Sequence, residues 1–299
     1  MSETPFFSVI VPAYNVEAYI EHTIRSILEQ TWSDWECVLV NDGSTDGTGG
    51  ICQRYALALP QKILYISQEN RGVSNARNTG MEAAEGRYLV FVDGDDYLAA
   101  TALEEMQACL QKETADLLYY DFQKRADPSD ACCLGENPGP QREQARRERK
   151  KAKTITPREC ILRKLKNKTI PAVAACYSRT MIERDQIRFD EEQSFVEDAL
   201  FFFTCVKHAA DILYYPGVLY YYLQRAESAT HKKDPVLQEI QSELKGWTKI
   251  KRLLAGDREI HKLLHTRMRK IQRNYRTLCF FRFLRRIIPA ASDHAGEPL

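Results

Sequence analysis

The stretch Val90-Phe91-Val92-Asp93-Gly94-Asp95-Asp96 runs from three apolar residues straight into three carboxylates. A short apolar run with β-branched residues, reaching back to Tyr88 and stopped by a glycine turn, reads as a strand buried on both faces. Burial explains Val90 to Val92 but gives no reason to crowd like charges at the strand end. Close carboxylates raise one another's pKa unless a cation neutralises them. Mg²⁺ or Mn²⁺ suits such oxygen donors and keeps waters or phosphates as its other ligands. Asp93 to Asp96 also have good turn chemistry, so the segment alone leaves a metal site and a surface turn both open.

Outward from this strand the pattern repeats. Apolar runs at 6–11, 36–40 and 62–66 read as strands, the first stopped by Pro12. Helical spacing over 18–30 (Ile20, Ile24, Ile27, Leu28), from 45 or 46 to about 57, and over 73–84 reads as helices. The alternation predicts an α/β fold, a Rossmann-like, mostly parallel sheet flanked by helices. Right-handed crossovers put the carboxyl ends of the strands on one edge, where open sheets bind ligands. Asn15, Asp42, Asn70 and Asp93 cluster at those ends. A helix over 101–111 and a strand over 116–121 follow, and then residues 126–153 read as an exposed loop or solvated helix. Its second half, 141–153, carries seven Lys/Arg against two Glu. Residues 154–223 return to short elements rich in Tyr and Phe, and 235–289 are helical in pattern.

Charge is nearly balanced over the 299 residues, with 42 Lys/Arg against 41 Asp/Glu, so no global field argues for nucleic acid. It is uneven along the chain: residues 261–299 hold nine Lys/Arg and two Asp/Glu, which suggests a polyanionic partner for the tail. Nine cysteines, an odd number with no CxxC pair, suit buried free thiols in a reducing compartment. With no basic segment before the first apolar run and no stretch near the roughly 20 apolar residues that cross a bilayer, a cytoplasmic protein is expected.

Two further segments carry chemistry. In Asn41-Asp42-Gly43-Ser44-Thr45-Asp46-Gly47-Thr48, Asp42 at a strand end can accept hydrogen bonds from a base or sugar, and the helix start behind it favours anions. The same turn could simply cap that helix. Residues 69–80 place Arg71, Arg77 and three Asn at a helix start, where a planar guanidinium suits phosphate or carboxylate. Taken together, Ser8-Val9-Ile10-Val11-Pro12-Ala13-Tyr14-Asn15, the Asp42 turn, residues 70–80 and Asp93-Gly94-Asp95-Asp96 resemble, in order and spacing, a family 2 glycosyltransferase of the GT-A fold.

The resemblance implies a UDP-sugar donor and a divalent metal, Mn or Mg. It puts Pro12, Ala13, Tyr14 and Asn15 along the nucleotide pocket, Asp42 on the uracil or ribose, and Asn70 and Arg77 near the nucleotide or diphosphate. Asp93, Gly94 and Asp95 form the DxD segment, with Asp95 as direct metal ligand and Asp93 nearer the ribose. Further on, Arg188-Phe189-Asp190-Glu191 and Phe195-Val196-Glu197-Asp198-Ala199-Leu200-Phe201 resemble the segment in which an acidic pair opens a helix. Asp198 is then the general base, beside Glu197, for an inverting transfer to a glycan or lipid-linked hydroxyl. Relatives often carry Gly where this chain has Val196. Tyr220-Tyr221-Tyr222 through Arg225 and His231 resemble the closing segment, where Arg225 would hold diphosphate and His231 would complete the metal shell. The implied domains are a catalytic unit over 1–231, with a nucleotide-binding half at 6–125, a loop at 126–153 and an acceptor-side half at 154–231, and a basic helical region over 232–299.

Nine Lys/Arg and no Asp/Glu fall between 261 and 289, interleaved with Leu263, Leu264, Met268, Ile271 and Tyr275 at helical spacing. Such a stripe can lie on an anionic membrane surface, here the inner face of a bacterial membrane. It can equally pack on the catalytic unit with its cations solvated. Bacterial surface polysaccharide synthesis would be the process. A nucleotidyltransferase would need a Gly-rich basic loop after the first strand, where Pro12-Ala13-Tyr14-Asn15 stands. A catalytically silent scaffold of the same fold would bind no nucleotide-sugar.

Overall fold

The structure, a computed structural model, describes residues 4–126, 151–166, 171–224 and 237–287, with side chains in the last helix through 277. Strand β1 (Phe7–Ala13) is buried along its whole length, as a strand must be when both its edges are paired and both its faces covered. β2 (Trp35–Asp42), β3 (Ile63–Gln68) and β4 (Tyr88–Phe91) complete a parallel block in the order β3-β2-β1-β4. The connections are α1 (Glu17–Leu28), α2 (Thr48–Ala58) and α3 (Val73–Ala83). α1 turns Ile20, Ile24 and Ile27 into the core, the face its spacing predicts. Pro12 does not stop β1, which runs one residue further. β4 pairs with β1 only as far as Ile10, so Pro12 sits where one neighbour has already ended.

Register sets the site. Ala13 pairs with Asn41, and Asp42 with Gln68. On the other side Ile10 pairs with Phe91, and the Val92 N–H donates to the Ile10 carbonyl at 3.0 Å. The chain therefore leaves β1, β2 and β4 along one edge, next to Ala13, Asp42 and Asp93.

The second half extends this sheet. β5 (Tyr97–Leu98), α4 (Ala102–Lys112), β6 (Leu117–Arg125), β7 (Lys153–Ile155), α5 (Pro157–Lys166), a 3-10 turn (Ala172–Ala174), β8 (Ala175–Ser178), α6 (Arg179–Arg184), α7 (Glu197–His208) and β9 (Ile212–Leu223) follow in chain order. The sheet continues β4-β8-β6-β9-β5, with β7 also on β9. β8 runs antiparallel to β4 and β6, β9 parallel to β6, and β5 and β7 antiparallel to β9. Six strands point one way and three the other, the mostly parallel sheet expected. Lys153, read as loop, opens β7, and residues 127–150 lie outside the described residues. Cys37, Cys52, Cys160, Cys176 and Cys205 are buried free thiols.

Two helices close the described chain, α8 (Leu237–Leu253) and α9 (Arg258–Ile287). Ile240, Trp247, Ile250, Ile260, Leu264 and Ile271 are buried in the common core, with Leu263, Met268 and Tyr275 packed against it. Through Tyr275, then, the apolar stripe of the basic region packs on the catalytic unit, the second of its two readings. Among the described residues no helix is long and apolar enough to cross a membrane.

Candidate active site

A cavity of about 850 Å³ opens at the edge where β1, β2 and β4 end. Pro12, Ala13, Tyr14, Asp42, Asn70, Arg77, Asp93, Gly94, Asp95, Glu197 and Asp198 all line it. Asn15 stands beside it: at φ +50° its Oδ1 accepts from the Thr45 N–H (2.9 Å) and its own N–H donates to Ser44 Oγ (3.1 Å), tying two rim loops together. Arg225 and His231 lie outside the described residues.

Asp42 is 3% exposed, and its carboxylate organises the rim. Oδ1 accepts from Gln68 Nε2 (2.8 Å) and the Arg71 N–H (3.0 Å), and Oδ2 accepts from the Gly72 N–H (2.8 Å). Two backbone amides on one carboxylate fix the turn that presents Asn70 and Gly72 to the cavity.

The acidic run after β4 splits three ways. Asp93 Oδ1 accepts from Arg77 Nη2 at 2.8 Å. Asp95 faces the cavity. Asp96 turns inward, accepting from the Tyr220 hydroxyl (2.5 Å) and the Leu223 N–H (2.8 Å). Burial, and then the charges of Asp93 and Asp95, push the Asp96 carboxyl well above its usual range. Gly94 lets the run approach β1, since a Cβ there would stand 3.1 Å from both the Pro12 carbonyl and Val16 Cγ2.

Arg77, on α3, joins the two halves of the site. Its side chain is 3% exposed, with Nη2 on Asp93 and Nη1 on Asp198 Oδ1 at 2.5 Å. The guanidinium lies 5.1 Å from the Phe189 ring, which stacks at 3.8 Å on Phe201 of α7. Burial opposes its charge, but Asp198, Asp93 and Glu197 together raise its pKa further. The cation bonded to Asp93 and Asp198 is thus a buried guanidinium.

Among the described residues no group of three His, Cys, Asp or Glu side chains is placed to hold a metal. Asp93 and Asp95 on the wall are two hard-oxygen donors, a set that fits Mg²⁺ or Mn²⁺ if water and diphosphate oxygens supply the rest.

Asp198 and Glu197 open α7 behind a strained residue. Val196 sits at φ +70°, a left-handed conformation that costs a β-branched residue about 1–3 kcal/mol and that glycine would adopt freely. Burial pushes the Asp198 carboxyl up, Arg77 pulls it down and Asp93 raises it again, with a net rise. Burial and the Asp198 charge push Glu197 up to about 8. The loop ahead of α7 is clamped by α3: Asn78 exchanges hydrogen bonds with the Phe189 backbone (2.9 and 3.0 Å), and Asn75 and Asn78 both donate to Glu191 at 2.9 Å. Much of the polar density of 69–80 therefore serves to hold the loop ahead of α7.

Apart from Tyr222 of the Tyr run, the far wall comes from residues that no motif marked. Phe122 and Lys124 of β6, Tyr222 of β9, Glu243 and Trp247 of α8 and Arg267 of α9 line the same cavity. Gly246 lets α8 reach it, because a Cβ there would stand 3.0 Å from the Phe195 carbonyl. Gln193 Nε2 donates to the Phe195 and Ser242 carbonyls, both at 2.6 Å, and Lys249 pairs with Asp190. A lone Trp and Arg in an amphipathic helix carry no local signal; only the packing brings them here.

A mostly parallel mixed sheet flanked by helices is the architecture of GT-A glycosyltransferases. Residues 8–170 match the description Glycosyl transferase family 2, and the chain belongs to that family. It is 35% identical over 227 residues to the uncharacterized glycosyltransferase EpsJ of Bacillus subtilis (strain 168), covering 76% of this chain and 63% of EpsJ, so it spans less than two thirds of that relative. It is 43% identical over 101 residues to the putative teichuronic acid biosynthesis glycosyltransferase TuaG of the same organism, covering 34% and 40% of the two chains. The structure is similar to S. aureus TarS 1–349 in complex with UDP-GlcNAc, at TM-score 0.66 and 25% identity, over 86% of this chain and 70% of that one.

Proposed function

We propose that the chain moves a sugar from a UDP-sugar to a hydroxyl of a glycan or lipid-linked acceptor, with inversion, in the assembly of a bacterial surface polysaccharide. One observation carries this reading: a single cavity is lined by Asp42, Asp93, Asp95 and Asp198, with Arg77 bonded to both Asp93 and Asp198. The UDP-GlcNAc bound to TarS supports a UDP-linked donor, and TuaG's name supports a cell-wall polymer as product.

In this mechanism Asp42 and its rim of amides receive the uridine, beside Pro12, Ala13 and Tyr14. Asp93 and Asp95 would hold a divalent ion, which when bound would supply charge stabilisation to the departing diphosphate. The acceptor oxygen attacks the anomeric carbon as the bond to UDP breaks, UDP leaves with the electron pair, and the acceptor proton passes to Asp198. Arg77 fixes Oδ1 and so orients this base. Attack from the Asp198 side, opposite the leaving group, inverts the anomeric centre. A raised carboxyl pKa strengthens Asp198 as a base and sets an acid limb: activity falls as pH drops through that raised pKa, above the ordinary value of about 4.

The test is a panel of nucleotide-sugars, with and without Mn²⁺, followed by thermal stabilisation and donor hydrolysis. UDP-sugars with Mn²⁺ should stabilise the protein, and Asp95→Ala should remove the metal-dependent part. A panel in which nothing binds would favour the silent scaffold.

A further inference from the structure

The turn that leads into α7 is held from outside the helix. Val196, the residue ahead of it, sits at φ +70° and ψ +11° and makes no side-chain capping bond, so no cap fixes the direction in which α7 leaves. A β-branched residue stays left-handed only where its surroundings over-determine it. α8 supplies those surroundings. Gln193 is 2% exposed, and its Nε2 donates to the Phe195 and Ser242 carbonyls, both at 2.6 Å, and to Ser242 Oγ at 3.1 Å. Two carbonyl acceptors fix which way the amide faces, since its oxygen can only accept. That oxygen finds no hydrogen-bond partner among the described residues, so the nitrogen is the end the fold uses. Gly246 permits the approach: a Cβ there would stand 3.0 Å from Gln193 Nε2 and 3.1 Å from Val196 Cβ. A second anchor holds the start of the turn, where the Gln193 N–H donates to the Asp190 carbonyl (3.1 Å) and Lys249 of α8 pairs with the Asp190 carboxylate.

We propose that Gln193 is a positioning residue for the transfer: it locks Val196 in the left-handed conformation that aims Glu197 and Asp198 at the cavity. The proposal rests on the glycosyl-transfer reading and adds to it a residue that is not among those lining the cavity. The lever is short. Asp198 stands two residues beyond Val196, and its Oδ1 meets Arg77 Nη1 at 2.5 Å, a contact that rotation about the Val196 backbone breaks. Without the Gln193 amide, a valine gains by relaxing to φ about −60°, and the Asp198 carboxylate turns away from the acceptor oxygen. A misplacement of about 1 Å can cost on the order of a hundredfold in rate. A glycine at 196 gains nothing by relaxing, because it takes either sign of φ about equally well. Loss of Gln193 is therefore damaging with Val at 196 and close to harmless with Gly there. A Gln193 that only stabilised the fold would be missed equally in both backgrounds.

The experiment compares the full chain with Q193L, V196G and Q193L/V196G. UDP-glucose, UDP-galactose and UDP-N-acetylglucosamine with Mn²⁺ serve as donors and water as acceptor. Hydrolysis kcat and KM are measured per folded molecule, with hydrogen exchange at the start of α7, where the Leu200 N–H donates to the Val196 carbonyl (3.0 Å). We expect Q193L to lower kcat about tenfold or more from the parent, with KM within about threefold, and to speed that exchange. Q193L/V196G should lose no more than about threefold in kcat relative to V196G, whatever the rate of V196G itself. An unchanged kcat in Q193L, or an equal loss in the Val and Gly backgrounds, overturns the proposal. Should Q193L not fold, Q193N, whose shorter side chain cannot reach both carbonyls, is held to the same outcomes. A parent chain that hydrolyses none of the three donors counts instead against the glycosyl-transfer reading. The lock on Val196 is then judged by exchange, and exchange that Q193L leaves unchanged overturns it.

Discussion

The two walls of the cavity are built by different means. The first wall is made of strand ends, where Ala13, Asp42 and Asp93 arrive through sheet register and each motif is continuous in sequence. The opposite wall is made of helices: Glu243, Trp247 and Arg267 arrive by packing, from positions with no motif around them. A sheet edge is a template that fixes position to within a residue, whereas a helix wall depends on how closely it can approach. Arg77, bonded to Asp93 and to Asp198, belongs to both.

That contrast predicts graded effects. Arg77→Met removes the tie itself and leaves two carboxylates without their buried cation. We expect a loss of about 2–4 kcal/mol in stability, below the range for a fully buried pair because both carboxylates are a quarter exposed. Donor hydrolysis should fall with it; denaturant melts and hydrolysis rates check both, and a variant as stable as the parent would break the account of the tie. Gly246→Ala touches only the helical wall. Its methyl would crowd the Phe195 carbonyl, costing about 1–3 kcal/mol and shifting the loop ahead of Glu197 and Asp198. Hydrolysis should slow while UDP affinity holds, as calorimetry can show.

Lys164 gives the smallest effect. It is 5% exposed, 4.6 Å from the Tyr119 ring and 5.0 Å from Phe202, and burial lowers its pKa to about 8. The unfolded chain keeps this proton up to about 10.5, so between pH 8 and 10.5 it holds more protons than the folded one. Stability is lowest below pH 8 and rises with pH across that window. The shift corresponds to roughly 3 kcal/mol, offset by about 1–2 kcal/mol of ring contacts. Lys164→Met should therefore add about 1 kcal/mol at pH 7 and flatten the slope between pH 8 and 10.5, with hydrolysis unchanged.

The sheet was legible because its strands are short apolar runs with polar residues at one end, and most boundaries moved by only one or two residues. β1 ran on through Pro12 because β4 had already stopped pairing. Nearly all the described site residues expected from the motifs meet in one cavity; Asn15 is the exception, since its side chain serves a neighbouring loop. The crowding of Asp93, Asp95 and Asp96 was read correctly as costly, but its relief was not visible in the strand. Part of it comes from Arg77, 16 residues upstream of Asp93, and from Tyr220, 124 residues downstream of Asp96. Such long-range partners leave no local period. The same holds for Trp247 and Arg267, which look like any buried and any surface residue until α8 and α9 are docked.

The most direct test is Asp198→Asn, with UDP-sugar affinity and donor hydrolysis measured side by side, water standing in for the acceptor hydroxyl. An amide keeps the shape but cannot take the proton, so affinity should stay within about threefold while hydrolysis falls about 10²–10⁴-fold. Hydrolysis at the parent rate would show that the proton goes elsewhere and that the helix behind Val196 is not where the chemistry happens.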